Sequence, residues 1–327
     1  MVASGAERMP WAGVPAGLQA AIAEVLGSPV VEAASQPGGF SPGSADRVLT
    51  ASGRRAFVKT ANSELNARSV EIHRLEAAMA AGLPASAHAP ELLGVVDHGD
   101  WVALVLEDVE GRHPDLPWER GQTITVLDAL ADLAHDPVGD GFAGPALADA
   151  TSDLFEGWRR LLHDHTRPLG LDADLGEWVA GRLASLADAS EAAIGDLVGD
   201  RLVHRDVRAD NILIRPDGSV VLVDWPWATR GVGWFDALSL LVNVRLYDRT
   251  ADVDRLVAQH PVFREMDPDA ATRVIAGLAG FFIEASMREP TPALPTLRRF
   301  QLDQGIATLE WLRERMDGMT PASIPLE

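Results

Sequence analysis

One short stretch of this 327-residue sequence holds the side chains best suited to chemistry. Asp206 closes a His-Arg-Asp triplet, Asn211 follows it by five residues, and Asp224 comes directly after an apolar run. Phosphoryl transfer depends on positioning and charge neutralisation more than on covalent chemistry, and it uses groups of these types. Asp206 would accept the proton of a substrate hydroxyl. The oxygens of Asn211 and Asp224 would bind Mg²⁺, which prefers oxygen ligands.

The elements around these residues must bring them together. Two strand-like runs flank the turn sequence Pro-Asp-Gly-Ser at 216–219, which predicts a short hairpin. Asn211 and Asp224 stand at the two ends of this hairpin, so they would converge although they are 13 residues apart. The alternative is an acidic loop that only caps strands, and the ordered set of residues makes it the weaker interpretation.

Lys59 is the only lysine among the 28 basic residues. It lies near the end of a strand-like run and precedes a predicted helix over residues 63–81. A lysine in that place can hold the phosphates of a nucleotide, while a glutamate of the helix holds the lysine. Glu71, near the middle of the helix, is the predicted partner, and Glu64 and Glu76 remain alternatives. An ordinary surface lysine is the other interpretation of Lys59.

Two more segments are predicted to contact a nucleotide. The Gly-rich stretch 37–44 lies between the first two strands, where backbone N–H groups can cradle phosphate oxygens, although a plain hairpin turn fits equally well. Its candidate residues are Gly38, Gly39, Phe40 and Ser41. At the end of the strand-like run 101–109, the backbone groups of a hinge would hydrogen-bond the purine. The hinge candidates are Glu107, Asp108 and Val109.

The order of predicted elements gives an α+β fold class with two lobes. Residues 1–109 would form a small β-rich N-lobe of about five antiparallel strands and one helix, which binds the nucleotide. Residues 110–327 would form a larger, mainly helical C-lobe with the catalytic loop and the substrate-binding helices. A cleft between the lobes is the expected ligand site. The predicted strands are 30–34, 47–50, 55–60, 91–96 and 101–109, and the predicted C-lobe helices are 120–134, 149–163, 175–197, 234–247, 270–287 and 296–316.

Composition and charge exclude several classes of protein. The absence of cysteine excludes a disulfide scaffold, a cysteine-ligated metal and a cysteine nucleophile. The net charge of −20 argues against a nucleic-acid partner. No apolar run is long enough for a membrane span, and the N-terminus lacks the pattern of a signal peptide, so we expect a cytoplasmic protein with no membrane partner. The sequence leaves the oligomeric state open.

Taken together, these motifs resemble those of the aminoglycoside phosphotransferase family, which comprises antibiotic and small-molecule kinases with a protein-kinase-like fold. The resemblance runs from about residue 30 to 315 and rests on the segments GGFSPG, FVK, LEDVEG, HRDVRADN and VDW. It implies that Asp206 is the catalytic base, that Asn211 and Asp224 bind magnesium, and that Lys59 binds the phosphates. ATP or GTP would be the phosphate donor.

Two further residues acquire expected roles from the resemblance. Asp236 resembles the family aspartate that braces the catalytic loop, and Arg208 lies where many kinases carry a basic residue near the transferred phosphate. A surface salt bridge is an equally good interpretation of Arg208. Asp224 is followed by Trp-Pro, and only 11 residues separate it from Asp236. That leaves no room for a phosphorylatable activation segment, which favours a small-molecule kinase over a protein kinase.

The expected function is therefore Mg²⁺-dependent transfer of the γ-phosphate of ATP or GTP to a hydroxyl of a small molecule. An antibiotic of the aminoglycoside type or another natural product is the first candidate acceptor. The alternatives are a non-antibiotic metabolite alcohol and a catalytically inactive nucleotide-binding protein. Acidic side chains of the last helices could receive a cationic acceptor, or they could be solvated helix faces. They are Glu284, Asp303 and Glu310.

Three tryptophans near the catalytic loop have two possible roles. Trp225, Trp227 and Trp234 could stack on a sugar or a base, or they could pack in the core, which is commoner for a buried tryptophan.

Overall fold

The computed structural model describes residues 8–36, 43–139, 141–164, 169–290 and 294–318. A five-stranded antiparallel sheet occupies the first third of the chain, in the order β1-β2-β3-β5-β4. Each of the five predicted strands overlaps an observed strand, and the fifth ends at Leu106 rather than at residue 109. The strands are β1 (Val30–Ser35), β2 (Ala45–Thr50), β3 (Arg55–Asn62), β4 (Leu92–Asp97) and β5 (Trp101–Leu106).

One helix covers each face of this sheet. Helix α1 (Ala16–Leu26) packs its buried side chains on one face, together with those of alternate residues on β3 and β5. Helix α2 (Ser63–Ala81) packs on the opposite face, with Asn62 as its N-cap. Because side chains alternate along a strand, Lys59 lies on the α2 face with Ala61, whereas Val58 faces α1.

The rest of the described chain is mainly helical and shares one hydrophobic core. Its helices are α3 (Arg120–Leu133), α4 (Leu147–Phe155), α5 (Gly157–His163), α6 (Ala173–Ala180), α7 (Leu183–Asp196), α8 (Phe235–Tyr247), α9 (Val253–Gln259), α10 (Pro268–Ser286) and α11 (Leu297–Asp317). Two short antiparallel pairs interrupt them. They join β6 (Arg201–Val203) to β9 (Thr229–Gly231) and β7 (Ile212–Ile214) to β8 (Val220–Leu222).

The predicted α+β fold with a β-rich part followed by a larger helical part is confirmed. Two predicted helices, 149–163 and 175–197, are each divided in two. The first break places Gly157 against α10, where a Cβ atom would collide with the backbone of Gly280. The division into lobes at residue 109 remains a prediction. None of the described helices is long and apolar enough to cross a membrane.

Candidate active site

A carboxylate at the start of α8 fixes the loop between β6 and β7. Both oxygens of Asp236 accept hydrogen bonds from this loop, one from the backbone N–H of His204 at 2.6 Å and one from that of Arg205 at 2.8 Å. Arg205 has a positive φ of 69°, a conformation that costs a non-glycine residue about 1–3 kcal/mol and persists only where neighbouring groups enforce it. The two hydrogen bonds to Asp236 supply that restraint.

The buried imidazole of His204 connects the same loop to the end of the hairpin that β7 and β8 form. Its Nε2 atom lies 3.0 Å from the carbonyl oxygen of Val223, and its Nδ1 atom accepts from the backbone N–H of Asp206 at 3.2 Å. This pattern requires the tautomer with the proton on Nε2. Burial lowers the pKa of His204, which keeps the ring neutral. Trp225 packs against this ring with the centroids 4.4 Å apart.

Asp206 is held by donors on both of its carboxylate oxygens. Arg208 donates from Nη1 to Oδ1 at 2.8 Å, and Asn211 donates from Nδ2 to Oδ2 at 3.0 Å. Arg208 also forms a two-pronged ion pair with Asp210, through Nε at 3.0 Å and Nη2 at 2.9 Å. Burial raises the pKa of Asp206, and the charge of Arg208 opposes that rise. The carboxylate is thus a stronger base than an ordinary aspartate and has a fixed orientation.

Lys59 bridges the sheet, α2 and the β8 hairpin. Its Nζ atom donates to Oε1 of Glu76 at 2.7 Å and to Oδ1 of Asp224 at 2.8 Å. The Lys59 side chain is 15% exposed and that of Glu76 only 4%. Burial alone would raise the pKa of Asp224, but the charge and hydrogen bond of Lys59 lower it to about 2. Burial raises the pKa of Glu76. Of these two carboxylates, Asp224 therefore stays ionised to a lower pH than Glu76.

The prediction that Glu71 holds Lys59 is wrong. Glu71 lies on the outer face of α2, where it is 58% exposed and pairs with Arg68 at 2.7 Å. Helix geometry is the reason, because the buried face of α2 runs through His73 and Met79, and Glu76 is three residues from each. Of the two alternatives, Glu64 is exposed in the first turn, and Glu76 is the observed partner.

His73 was not among the residues predicted from the sequence, yet it is buried beside this ion pair and lines the cleft. Burial lowers its pKa to about 4, with a further contribution from the charge of Lys59. Its ring Nδ1 atom lies 2.8 Å from the carbonyl oxygen of Ser69, one turn earlier. Its spacing of three residues from Glu76 places both side chains on one face of the helix and could have identified it.

The hinge residues line the cleft and are fixed from both sides. The Asp108 carboxylate lies 3.1 Å from Nε of Arg47 and 2.8 Å from Nε of Arg55. Arg47 also donates to the carbonyl oxygen of Val109 at 2.9 Å. The N–H of Val109 and the carbonyl of Glu107 form no hydrogen bond within the described ranges. One donor and one acceptor are thus available to the edge of a purine.

The Gly-rich candidates Gly38, Gly39, Phe40 and Ser41 lie outside the described residues. The end of the same segment is visible and packs directly on β3. A Cβ atom on Gly43 would collide with the carbonyl oxygen of Thr60, so glycine is required for this close approach. The next residue, Ser44, bonds through its hydroxyl to that of Thr60 at 2.9 Å. The segment therefore ends beside Lys59.

A continuous cleft of about 1470 Å³ connects these groups. Of the described candidates for catalysis, nucleotide binding and metal binding, Glu71 does not line the cleft and eight do: Lys59, Glu107, Asp108, Val109, Asp206, Arg208, Asn211 and Asp224. Trp225 and Trp227 line the cleft too, whereas Trp234 packs in the core. Trp225 is itself buried and donates to the carbonyl oxygen of Leu222 at 2.7 Å.

The three acidic acceptor candidates do not line the cleft. Each forms an ion pair with an arginine instead: Glu284 with Arg288, Asp303 with Arg299, and Glu310 with Arg249. Two of these pairs join residues four positions apart, which is the local spacing of neighbouring side chains on a helix.

Two oxygen atoms in the cleft suit a magnesium ion. Oδ1 of Asn211 and Oδ2 of Asp224 accept no hydrogen bond from the described part of the chain, because the bonds of these side chains use Nδ2 and Oδ1. Carboxylate and amide oxygens are ligands that Mg²⁺ accepts, with water and phosphate completing its octahedron. Asp224 has a positive φ of 72°, which marks a second restrained backbone position at this site. The residues present therefore fit the metal.

The family model of the phosphotransferase enzyme family, APH, matches residues 39–268. Among similar solved structures, an aminoglycoside phosphotransferase from Alicyclobacillus acidocaldarius is 17% identical, with 88% of this chain and 93% of that chain covered and a TM-score of 0.55. Spectinomycin phosphotransferase APH(9)-Ia is 13% identical, with 90% and 98% covered and a TM-score of 0.54. Choline kinase LicA from Streptococcus pneumoniae is 15% identical, with 89% and 97% covered and a TM-score of 0.51.

No curated protein matches the chain. The solved structures share its kinase-like fold, and the family model spans well over half of its length. The chain therefore belongs to the phosphotransferase enzyme family, and it is a small-molecule phosphotransferase with an alcohol group as acceptor.

Proposed function

We propose that this enzyme catalyses Mg²⁺-dependent transfer of the γ-phosphate of ATP or GTP to a hydroxyl group of a small molecule. One observation carries the proposal. Lys59 and Asp224 are 165 residues apart in sequence, yet they are joined by a 2.8 Å ion pair in the cleft that also contains Asp206 and Asn211. Structures of similar fold were solved with ADP or AMP-PNP bound, which supports a nucleotide as donor.

Asp206 would accept the proton of the acceptor hydroxyl. Each of its oxygens receives one hydrogen bond from a neighbouring side chain, so each retains a lone pair for the incoming hydroxyl. Its raised pKa strengthens it as a base. Arg208, which is fixed by Asp210, would lie beside the transferred phosphate and balance its charge.

The nucleotide would lie between the hinge and Lys59. The N–H of Val109 and the carbonyl of Glu107 would hydrogen-bond the purine, and Lys59 would hold the phosphates. Asn211 and Asp224 would hold Mg²⁺, which supplies charge neutralisation to the phosphate oxygens when bound. The candidate contacts of Gly38 to Ser41 remain part of this proposal. The cytoplasmic location expected from the sequence also belongs to it, because ATP and GTP are supplied there.

For the acceptor, an antibiotic is the first candidate, since APH(4)-Ia and APH(9)-Ia were solved with hygromycin B and spectinomycin. A metabolite alcohol is the second candidate, because a choline kinase has the same fold. A catalytically inactive protein is disfavoured by the shared cleft of Lys59, Asp206, Asn211 and Asp224.

The test is a nucleotide-consumption screen with Mg–ATP and Mg–GTP against a panel of hydroxylated antibiotics and metabolites. The variant Asp206→Ala should lose turnover by a factor of about 10² or more, since general-base catalysis contributes that much. Asp188→Ala is the matched control, because its carboxylate is exposed and forms only a 3.3 Å contact with Arg159. Turnover that survives Asp206→Ala, or a melting temperature unchanged by either Mg–nucleotide, would contradict the proposal.

A further inference from the structure

The part of the cleft beyond Asp206 is walled by four helices, α4, α8, α10 and α11. Their described side chains that face the cleft are all uncharged. Aromatic and aliphatic groups dominate this wall: Leu278, Phe281 and Phe282 on α10, and Leu297 and Phe300 on α11. The charged residues of the cleft come instead from the sheet, α2, the hinge and the catalytic loop, together with Arg8 and Asp224. The helical wall on the acceptor side is thus uncharged and mainly apolar within a protein whose net charge is −20.

This wall offers no counter-charge to a polycation. The acidic side chains of α10 and α11 considered above are paired with arginines outside the cleft. The carboxylates of the catalytic loop that line the cleft, Asp206 and Asp210, are both paired with Arg208, whereas Arg205 lines the cleft and forms no ion pair within the described ranges. Ammonium groups placed against these walls would lose water without gaining a carboxylate, which is unfavourable.

Gln304 is one of six polar side chains on these four helices that line the cleft, the others being Thr151, Ser239, Asn243, Tyr247 and Gln301. It lies on α11, lines the cleft and is only 5% exposed. Its backbone carbonyl accepts from the hydroxyl of Thr308, but its side-chain amide forms no hydrogen bond with any described residue. The residue as a whole is buried, but its amide atoms reach the cleft, and ligand pockets commonly contain a few such polar groups that fix orientation. A bound molecule that both accepts and donates would satisfy it.

We propose that the acceptor is an uncharged hydroxylated molecule with a large apolar surface. It packs on the side chains of α10 and α11 and is oriented by the amide of Gln304, which places one hydroxyl at Asp206. The inference rests on the proposed function, since it specifies which alcohols reach the base. Of the acceptors considered from the sequence, it excludes the cationic ones.

Direct binding tests the acceptor class independently of turnover. Wild-type protein saturated with Mg–AMP-PNP is titrated by calorimetry with three uncharged alcohols and three cations. The uncharged probes are erythronolide B, chloramphenicol and podophyllotoxin, and the cationic probes are hygromycin B, spectinomycin and choline. We expect at least one uncharged probe to bind tenfold more tightly than every cation. Choline is the strictest comparison, because aromatic rings attract quaternary ammonium groups. A cation that binds as tightly, or failure of all three uncharged probes, overturns the inference.

Variants of the wall sharpen the test. Phe281→Asp should weaken the best uncharged probe at least tenfold and strengthen hygromycin B, whereas Phe281→Leu should stay within about threefold of wild type. Gln304→Leu should weaken the same probe about tenfold, since it removes the orienting hydrogen bonds. Val198→Asp is the matched control, because Val198 is 72% exposed and lies outside the cleft. AMP-PNP affinity measured in each variant reports an intact fold.

The outcomes separate this inference from the proposed function. An uncharged probe that binds but is never phosphorylated, with Mg–ATP or Mg–GTP, contradicts the proposed function and supports the apolar pocket. Phosphorylation of hygromycin B at a rate unaffected by Phe281→Asp supports the proposed function and overturns the pocket.

Discussion

Glu76→Gln tests most directly how Lys59 is held. Nζ of Lys59 lies 2.7 Å from Glu76 and 2.8 Å from Asp224, and a backbone hydrogen bond from Trp225 acts on the same Glu76 carboxylate. Glutamine has one side-chain oxygen instead of two, so the substitution removes the charge and leaves either Lys59 or Trp225 without an acceptor at this position. A hydrogen bond to a charged group contributes about 1.5–3 kcal/mol.

The expected loss lies at the lower end of that range. Lys59 keeps Asp224, and removal of the second carboxylate relieves the repulsion between Glu76 and Asp224. We therefore expect the free energy of unfolding, measured by urea titration, to fall by about 1.5 kcal/mol. The KM for the nucleotide should rise about tenfold, because 1.4 kcal/mol corresponds to a factor of ten in binding.

Glu71→Gln is the matched control on the same helix. Its pair with Arg68 is exposed on both sides, so the free energy of unfolding should change by less than about 0.5 kcal/mol and KM should not change. Equal effects of the two substitutions, or a larger effect at Glu71, would refute the assignment of Glu76 as the residue that positions Lys59.

Three other substitutions have defined outcomes. Lys59→Arg should lower kcat/KM for the nucleotide at least tenfold with an unchanged circular dichroism spectrum. The reason is that the larger forked guanidinium does not fit where Nζ contacts two carboxylates. Wild-type kinetics in this variant would contradict the prediction. Asp236→Asn leaves one acceptor for two backbone N–H groups, so the free energy of unfolding should fall by about 1–3 kcal/mol and kcat should drop; an effect on neither would count against the brace. His73 has a folded pKa of about 4 against 6.5 when unfolded, so the unfolded state takes up a proton first as the pH falls. The free energy of unfolding is therefore at its full value above pH 6.5 and falls by up to about 3 kcal/mol as the pH approaches 4. His73→Gln should flatten this slope in unfolding measured between pH 4 and 7, and an unchanged slope would exclude His73 as its cause.

Spacing along the chain predicted the catalytic loop and its hairpin because these contacts are local. Asp206 and Asn211 share one short loop, and the turn at 216–219 returns the chain to Asp224. The five strands were equally accessible to prediction, since strand-like runs bounded by turn residues mark them. Glu76 was missed as first choice because the prediction considered the middle of the helix rather than its buried face, where His73 and Glu76 interrupt the apolar stripe.

The acceptor wall could not be read from the sequence because it depends on how separate helices pack. Glu284 and Asp303 lie on the correct helices, but the rotation of each helix points them at arginines and turns Phe281 and Gln304 into the cleft. The sequence places these residues on the two helices but does not show which of them face the cleft. Only the packed arrangement of α10 and α11 distinguishes them.

The solitary lysine makes this enzyme its own chemical reporter. Apart from the N-terminus, Lys59 carries the chain's only primary amine, so a lysine-directed acylating reagent has one internal target. Burial alone would lower the pKa of Lys59, but the two carboxylates raise it above its ordinary value, and the protonated amine is unreactive. The extent of acylation at residue 59, read by mass spectrometry, would therefore measure how often the ion pair opens, without any engineered label.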